Sequence, residues 1–187
     1  MRVFLIDNND SFTYNLKHYI EQFANEVVVS RSAEIELDDI EPFDKIILSP
    51  GPGLPNEHPI LKQVLSRYYN QKPILGICLG QQAIAEFFNA NLENLTTVKH
   101  GVTSMVKHFN NCKLFSDIPE NFKIGHYHSW VVSKINFPEE LLITSENEEG
   151  IITSLNHKKH DITAVQFHPE SILTEYGLQL IKNWVLA

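Results

Sequence analysis

The chain of 187 residues is 43% hydrophobic and 20% charged, an ordinary globular composition that excludes collagen-like and disordered classes. Its 15 basic and 23 acidic residues give a formal net charge of −8, which argues against general binding to nucleic acids or membrane surfaces. Two cysteines, Cys78 and Cys112, are too few for a disulfide framework or a cysteine-rich zinc site. Because neither a membrane-spanning run nor a signal peptide is found, we expect one cytoplasmic domain over 1–187.

The first half of the sequence alternates continuous apolar runs with helical periodicity, which is typical of βαβ units around a parallel sheet. The predicted strands of this half are 2–6, 27–29, 45–49 and 73–77. The predicted helices are 11–24, 59–69 and a segment that follows Cys78 directly and extends through residue 88.

The second half contains shorter β-like runs, which are 101–108, 122–132, 141–146, 150–156 and 162–168. Turns are predicted between them at 110–111, 147–150 and 157–161. This pattern favours an antiparallel extension of the sheet or a small second sheet. A helix over 173–185 closes the chain, with Leu178, Ile181 and Val185 on one face.

The most informative local pattern is a G-x-C-x-G turn between an apolar strand and a helix, with Cys78 between Gly76 and Gly80. It is the thiol counterpart of the G-x-S-x-G nucleophile elbow, in which small residues on either side allow a sharp turn. The dipole and free N–H groups of the following helix favour a thiolate. The pattern therefore predicts a nucleophile at Cys78, and a buried structural cysteine is the alternative.

His168 is the best candidate for the base that a thiol nucleophile requires, because it ends an apolar strand and precedes Pro169 and Glu170. Residues two apart in an extended chain point the same way, so Glu170 can orient the imidazole as the acid of a triad does. We expect surface or hydrogen-bonding roles for the remaining histidines, which are His18, His58, His100, His108, His126, His128, His157 and His160. A metal site at His126 and His128 lacks an obvious third ligand, so no metal is predicted.

An oxyanion hole is the third requirement for chemistry at an acyl carbon. The N–H of Leu79, directly after the nucleophile, is the natural first donor. The second donor is predicted in the Pro/Gly loop 50–53, which follows another strand end. Since Pro52 has no N–H, the donor is Gly51 or Gly53, and Gly51 is preferred. Alone, this loop would count only as an ordinary turn.

Together these segments resemble the class I glutamine amidotransferases, which use a Cys-His-Glu triad, and in particular the glutaminase subunits of anthranilate synthase and aminodeoxychorismate synthase. The matching stretches are IDNNDSFTYNL (6–16), LSPGPGLP (48–55), PILGICLGQQAIA (73–85), HGVTS (100–104), YHSWVV (127–132) and VQFHPESILTEYG (165–177). The resemblance implies a flavodoxin-like, three-layer α/β fold with a mostly parallel central sheet, helices on both faces and an antiparallel β extension in the second half.

The resemblance also implies a role for each matching residue. Cys78 would be the nucleophile, His168 the general acid and base, and Glu170 its orienting acid, with Gly51 and Leu79 as oxyanion donors. Substrate binding would fall to Gly51, Pro52, Gly53, Gln82, Ser129 and Trp130. The implied reaction is hydrolysis of L-glutamine through a thioester without a cofactor. The ammonia would pass to a separate chorismate-utilising synthase subunit.

Three residues depart from the family pattern. Asn9 replaces an aromatic residue, Gln81 replaces a histidine, and His126 replaces an arginine. None belongs to the triad, so we expect these departures to affect the partner surface and fine specificity.

Two other functions compete with the glutaminase subunit. One is a stand-alone thiol hydrolase acting on γ-glutamyl substrates, and segment 7–15 argues against it because that segment suits a docking surface. The other is a non-catalytic subunit that keeps only the fold, and the intact Cys78, His168 and Glu170 argue against it. The anthranilate and aminodeoxychorismate pathways both remain open, with a slight preference for anthranilate synthase on general resemblance.

Overall fold

A nine-stranded sheet runs through residues 1–109 and 112–187, the part of the chain that this computed structural model describes. Its strands in chain order are β1 (Arg2–Asp7), β2 (Glu26–Arg31), β3 (Lys45–Leu48), β4 (Ile74–Ile77), β5 (Leu92–His108), β6 (Asn121–Val132), β7 (Leu141–Asn147), β8 (Ile152–His157) and β9 (Ile162–Val165). The helices are α1 (Thr13–Ile20), α2 (Pro59–Tyr68), α3 (Leu79–Phe87) and α4 (Gly177–Leu186). The turn predicted at 110–111 lies outside the described residues.

The spatial order of the strands is β2-β1-β3-β4-β9-β8-β7-β5-β6. The first five of these strands pair in parallel, and every later pairing is antiparallel. The prediction of a parallel sheet with an antiparallel extension is confirmed. The second half continues the same sheet, so the alternative of a separate small sheet is wrong.

Alternate residues of the parallel strands face two apolar cores, one on each side of the sheet. Phe4 and Ile6 of β1 belong to the core that contains buried residues of α2 and α3. Val3 and Leu5 belong to the core that contains buried residues of α1 and α4. The result is the predicted three-layer arrangement with helices on both faces. β3, β4 and β9 are buried along their whole length, which explains their continuous apolar sequences.

The closing helix begins later than the sequence predicts. Residues 171–174 form a turn in which the Thr174 N–H donates to the Ser171 carbonyl, and α4 begins only after Tyr176 adopts a left-handed backbone. Leu178 is 38% exposed, whereas Ile181 and Val185, predicted on the same face, are buried. The buried face carries Leu180, Ile181, Trp184 and Val185.

Two other boundaries differ for local reasons. α1 spans Thr13–Ile20 rather than 11–24. It starts later than predicted because Asp10 accepts a hydrogen bond from the Phe12 N–H in the preceding turn. β5 begins at Leu92 rather than at 101. The sequence did not predict the first half of this strand because its residues are largely exposed and show no apolar alternation. Its pairing with β6 shifts register near Gly101, whose φ is +67°. None of the helices in the described residues is long and apolar enough to cross a membrane.

Candidate active site

The carboxyl ends of four neighbouring parallel strands, β1, β3, β4 and β9, meet at one edge of the sheet. In open α/β sheets this edge is where ligands bind. The segments that leave it contain, in order, Asn8, the loop 49–53, Cys78 and His168. The sheet topology therefore gathers residues that are up to 160 positions apart in the sequence.

Cys78 stands on a strained turn between β4 and α3. Its φ of 53° and ψ of −102° are rare for a residue other than glycine. A Cβ on Gly76 would lie 2.6 Å from the carbonyl oxygen of Gly80, and a Cβ on Gly80 would overlap the Leu48 carbonyl oxygen. Both flanking positions thus require glycine, as the nucleophile-elbow prediction supposes.

His168 and Glu170 form a buried pair. The Nδ1 of His168 lies 2.7 Å from Oε1 of Glu170, and both side chains are almost fully enclosed. The imidazole is packed edge-on by Tyr127, whose ring centre is 4.9 Å away. The Thr174 hydroxyl donates a 2.6 Å hydrogen bond to the His168 carbonyl and fixes the backbone at this point. The expected His–Glu contact is therefore present and held in place.

The electrostatic environment favours a charged His168. Burial opposes the charge, but the carboxylate of Glu170 together with Cys78 outweighs it and raises the pKa of His168 well above its usual value. The Nε2 of His168 makes no hydrogen bond of ordinary geometry within the described residues. Cys78 is therefore close to the ring without being aligned with it, and we attribute the raised pKa mainly to Glu170. Such contacts often become aligned only when substrate binds.

A cavity of about 180 Å³ opens over the Cys78 thiol. It is lined by Gly51, Pro52, Gly53, Cys78, Gln82, Val98, His100, Tyr127, His128, Ser129 and Trp130. Every residue predicted to bind substrate thus borders one cavity, whereas His168 and Glu170 lie buried behind it. A larger hollow of about 910 Å³ lies between α2 and α3, and no triad residue lines it.

Gly51 is enclosed by two other site segments. A Cβ at this position would lie 2.6 Å from Cβ of Asn8 and 2.8 Å from Cδ2 of Leu79. Asn8 ties down the same loop, since its Nδ2 donates to the Ser49 carbonyl at 3.0 Å and its backbone N–H donates to the Ser49 hydroxyl at 2.9 Å. The Gly51 backbone is therefore held against the start of α3. Gly53, with φ of +75°, turns away from this contact toward Glu57.

Gln166 is a site residue that the sequence interpretation missed. Its Nε2 lies 3.5 Å from the Cys78 sulfur, and its Oε1 accepts a 3.2 Å hydrogen bond from Gln82. Gln82 also donates to the Trp130 carbonyl at 2.9 Å. The sequence did contain a signal for this residue, because Gln166 is polar and lies inside the apolar run 162–167. These contacts connect the nucleophile to two residues of the predicted substrate pocket.

The structure exposes only part of the predicted partner surface. Asp7 and Asn8 are buried and bind their own chain, so they do not belong to an exposed docking segment. Gln81 and His126 are fully enclosed as well. Among the three departures from the family pattern only Asn9 is exposed, with a left-handed φ of 63°.

Within residues 1–109 and 112–187, no group of three or more histidine, cysteine or acidic side chains is arranged to hold a metal ion. His126 and His128 instead bond to each other, with 2.9 Å between Nδ1 of His126 and Nε2 of His128.

The two thiols provide a direct chemical test of this geometry. We expect iodoacetamide at neutral pH to alkylate Cys78 severalfold faster than Cys112. Cys78 stands on a strained turn at the N-terminus of α3, and the cavity that opens over its sulfur admits the reagent. Burial raises the pKa of the Cys112 thiol, so less of it is the reactive thiolate at neutral pH. Peptide mass spectrometry over a time course measures both rates in one sample, and equal rates would contradict the assignment.

Comparison with known proteins agrees with this geometry. The family model for class-I glutamine amidotransferases matches residues 4–187. The chain is 40% identical over 185 residues to the putative anthranilate synthase component II of Haemophilus influenzae. This alignment covers 99% of the chain and 96% of the Haemophilus protein. It is 41% identical over 185 residues to the aminodeoxychorismate synthase component 2 of Klebsiella aerogenes, covering 98% of each chain.

A solved structure shows the same fold. A putative GMP synthase subunit from Thermoplasma acidophilum superposes with a TM-score of 0.88 at 22% identity, covering 99% of this chain and 92% of that one. Because the family model matches residues 4–187, nearly the whole chain, the chain belongs to the class-I glutamine amidotransferase family.

Proposed function

We propose that this chain is the glutaminase subunit of a chorismate-utilising synthase. It releases ammonia from L-glutamine and supplies that ammonia to a separate synthase subunit. The observation that carries the proposal is the elbow thiol of Cys78 in the wall of a cavity, beside a buried His168–Glu170 pair. Relatives named as the second components of anthranilate synthase and aminodeoxychorismate synthase support the choice of partner.

The chemistry follows from the positions of these groups. The Cys78 thiolate attacks the side-chain amide carbon of glutamine and forms a C–S bond. His168 donates its proton to the amide nitrogen, the C–N bond breaks, and ammonia leaves. His168 then removes a proton from water, which attacks the thioester. The C–S bond then breaks, glutamate leaves, and the Cys78 thiolate and protonated His168 are restored. Glu170 stabilises the imidazolium in both half-reactions without taking the proton itself.

Leu79 and Gly51 supply the oxyanion hole in this proposal. Leu79 is the first residue of α3, where backbone N–H groups have no partner within the helix. Gly51 packs directly against Leu79, whereas Gly53 turns away, which favours Gly51 as the second donor. Two N–H groups from different loops can then converge on one oxygen.

The glutamine itself is held by Gln82 and by the backbone of Ser129 and Trp130, with Pro52 and Gly53 closing the cavity. The Gln82 amide is fixed by its bonds to the Trp130 carbonyl and to Gln166. No cofactor or metal takes part. We propose a single working domain over residues 1–187, located in the cytoplasm, where the free thiol of Cys78 stays reduced.

The Cys78→Ala variant tests the proposed function. In complex with the synthase subunit it should lose glutamine-dependent product formation while keeping synthesis from added ammonium salt, because only ammonia release requires the thiol. Cys112→Ser is the matched control and should retain both activities, since Cys112 lies outside the cavity. Loss of activity in Cys112→Ser but not in Cys78→Ala would contradict the assignment. Product analysis with each synthase subunit identifies the pathway.

His168 and Glu170 should differ in the size of their effects. We expect His168→Ala to lose nearly all glutaminase turnover and Glu170→Ala to keep a measurable remainder, because Glu170 only orients and stabilises the imidazolium. Measured kcat values compare the two. Small, equal losses would point to another base. His128 is a poor candidate for this base, because its Nε2 already bonds to His126. In addition, burial lowers the pKa of His128 to about 3, with smaller contributions from His126 and His168.

We further expect the isolated chain to be a weak glutaminase that becomes active in complex with its synthase partner. Ammonia released into bulk water would be protonated and lost, so hydrolysis without a partner has no use. We expect the partner to act through the loop 50–53, because this loop supplies the second oxyanion donor. Losing one oxyanion donor costs about 100- to 1000-fold in turnover. Titrating the chain with partner, with and without chorismate, measures the effect. Full activity of the chain alone, unchanged by partner, would favour a stand-alone hydrolase.

A further inference from the structure

A second buried hydrogen-bonded chain lies beside the cavity and includes none of the triad residues. The Ser104 hydroxyl lies 2.6 Å from Nε2 of His126, and Nδ1 of His126 lies 2.9 Å from Nε2 of His128. Ser104 comes from β5 and both histidines come from β6, which pairs with it. His126 is completely enclosed, and His128 reaches the cavity wall.

Both imidazoles of this chain are neutral. Burial, with a smaller contribution from Lys99, lowers the pKa of His126 to about 4. Burial, followed by the neighbouring His126 and His168, lowers the pKa of His128 to about 3. A neutral imidazole has one donor and one acceptor nitrogen. The tautomers of the two rings are therefore coupled, because only one of the two facing nitrogens carries the hydrogen.

The far end of the chain selects the direction of the hydrogen bonds. The Trp130 backbone raises the pKa of His128, as a carbonyl that accepts from its ring N–H does, although Nδ1 of His128 makes no bond of ordinary geometry within the described residues. Nε2 of His128 faces His126, so the ring nitrogen that this carbonyl favours as a donor is Nδ1. The Ser104 hydroxyl suits either direction. The favoured sequence of donors is therefore Ser104 to His126, His126 to His128, and His128 toward Trp130.

The Trp130 carbonyl is also the acceptor for Gln82. His128, Ser129 and Trp130 all line the substrate cavity, so the hydrogen-bonded chain supports one of its walls through His128. A change in the tautomer of His128 would alter the position of this wall while leaving Cys78, His168 and Glu170 in place.

We propose that Ser104 and His126 are positioning residues for substrate binding. They hold His128 as the Nδ1–H tautomer and so keep the segment 128–130 in the conformation that accepts glutamine. The proposal rests on the proposed function, in which this cavity binds glutamine. It also gives a role to His126, one of the three residues that depart from the family pattern.

The test compares Ser104→Ala, which removes the hydroxyl, with Ser104→Thr, which keeps it. In the complex with its synthase subunit, Ser104→Ala should raise KM for glutamine about 3- to 10-fold, the range expected for one net hydrogen bond. Its kcat, its ammonium-dependent synthesis and the alkylation rate of Cys78 should stay at the wild-type level. Ser104→Thr should match the wild type in every measurement. His126→Phe, which ends the chain of hydrogen bonds and keeps an aromatic ring, should raise KM at least as much.

The tautomer itself is measured by NMR of chain labelled with ¹⁵N-histidine. We expect His128 in the wild type to be neutral with hydrogen on Nδ1, and this population to fall in Ser104→Ala and His126→Phe. A wild-type His128 protonated on Nε2, or an unchanged KM in both variants, would overturn the proposal. A lower kcat at unchanged KM would overturn it too. The NMR result does not depend on activity, so failure of the proposed function remains distinguishable from failure of this inference.

Discussion

The site depends on the strained backbone of Cys78. A non-glycine residue held at positive φ costs about 1–3 kcal/mol, and the surrounding structure must offset that cost. The offset comes from β4, which is completely buried, and from α3, whose first turns pack against β3. Gly80 brings the helix backbone onto the Leu48 carbonyl so closely that no side chain fits. The sheet therefore holds the thiol at its edge, and the other site residues are arranged around a fixed point.

The neighbouring loops are held by polar contacts from adjacent strands. Asn8, after β1, bonds twice to Ser49, after β3, and thereby presses the Gly51 backbone toward Leu79. Several enclosed polar atoms near the site have no partner within the described residues, among them Nε2 of His168 and Oε2 of Glu170. Unpaired buried groups lower stability, and they are the groups that a bound substrate or a reacting proton can satisfy.

Local sequence patterns were sufficient for much of the fold and for two local arrangements of the site. The elbow at Cys78 and the His168–Glu170 pair depend on residues close in sequence, so spacing alone predicted their geometry. The first half of β5 was missed because its exposed residues show no apolar alternation. The burial of His126 was missed for a different reason. Its partner Ser104 comes from β5, whose pairing with β6 shifts register near Gly101, and pairing of this kind has no local signal.

The site contains three buried histidines with opposite electrostatic behaviour. Glu170 supplies a negative charge directly to His168, whereas the side-chain hydrogen bonds of His126 and His128 within the described residues are to a hydroxyl and to each other. The positive charge of His168 further lowers the pKa of both His126 and His128. Two imidazolium ions this close in a medium of low dielectric constant would repel strongly. One carboxylate therefore determines which ring carries the proton during catalysis. Burial, aided by the charge of His168, keeps the other two rings neutral and able to act as a hydrogen-bonded support.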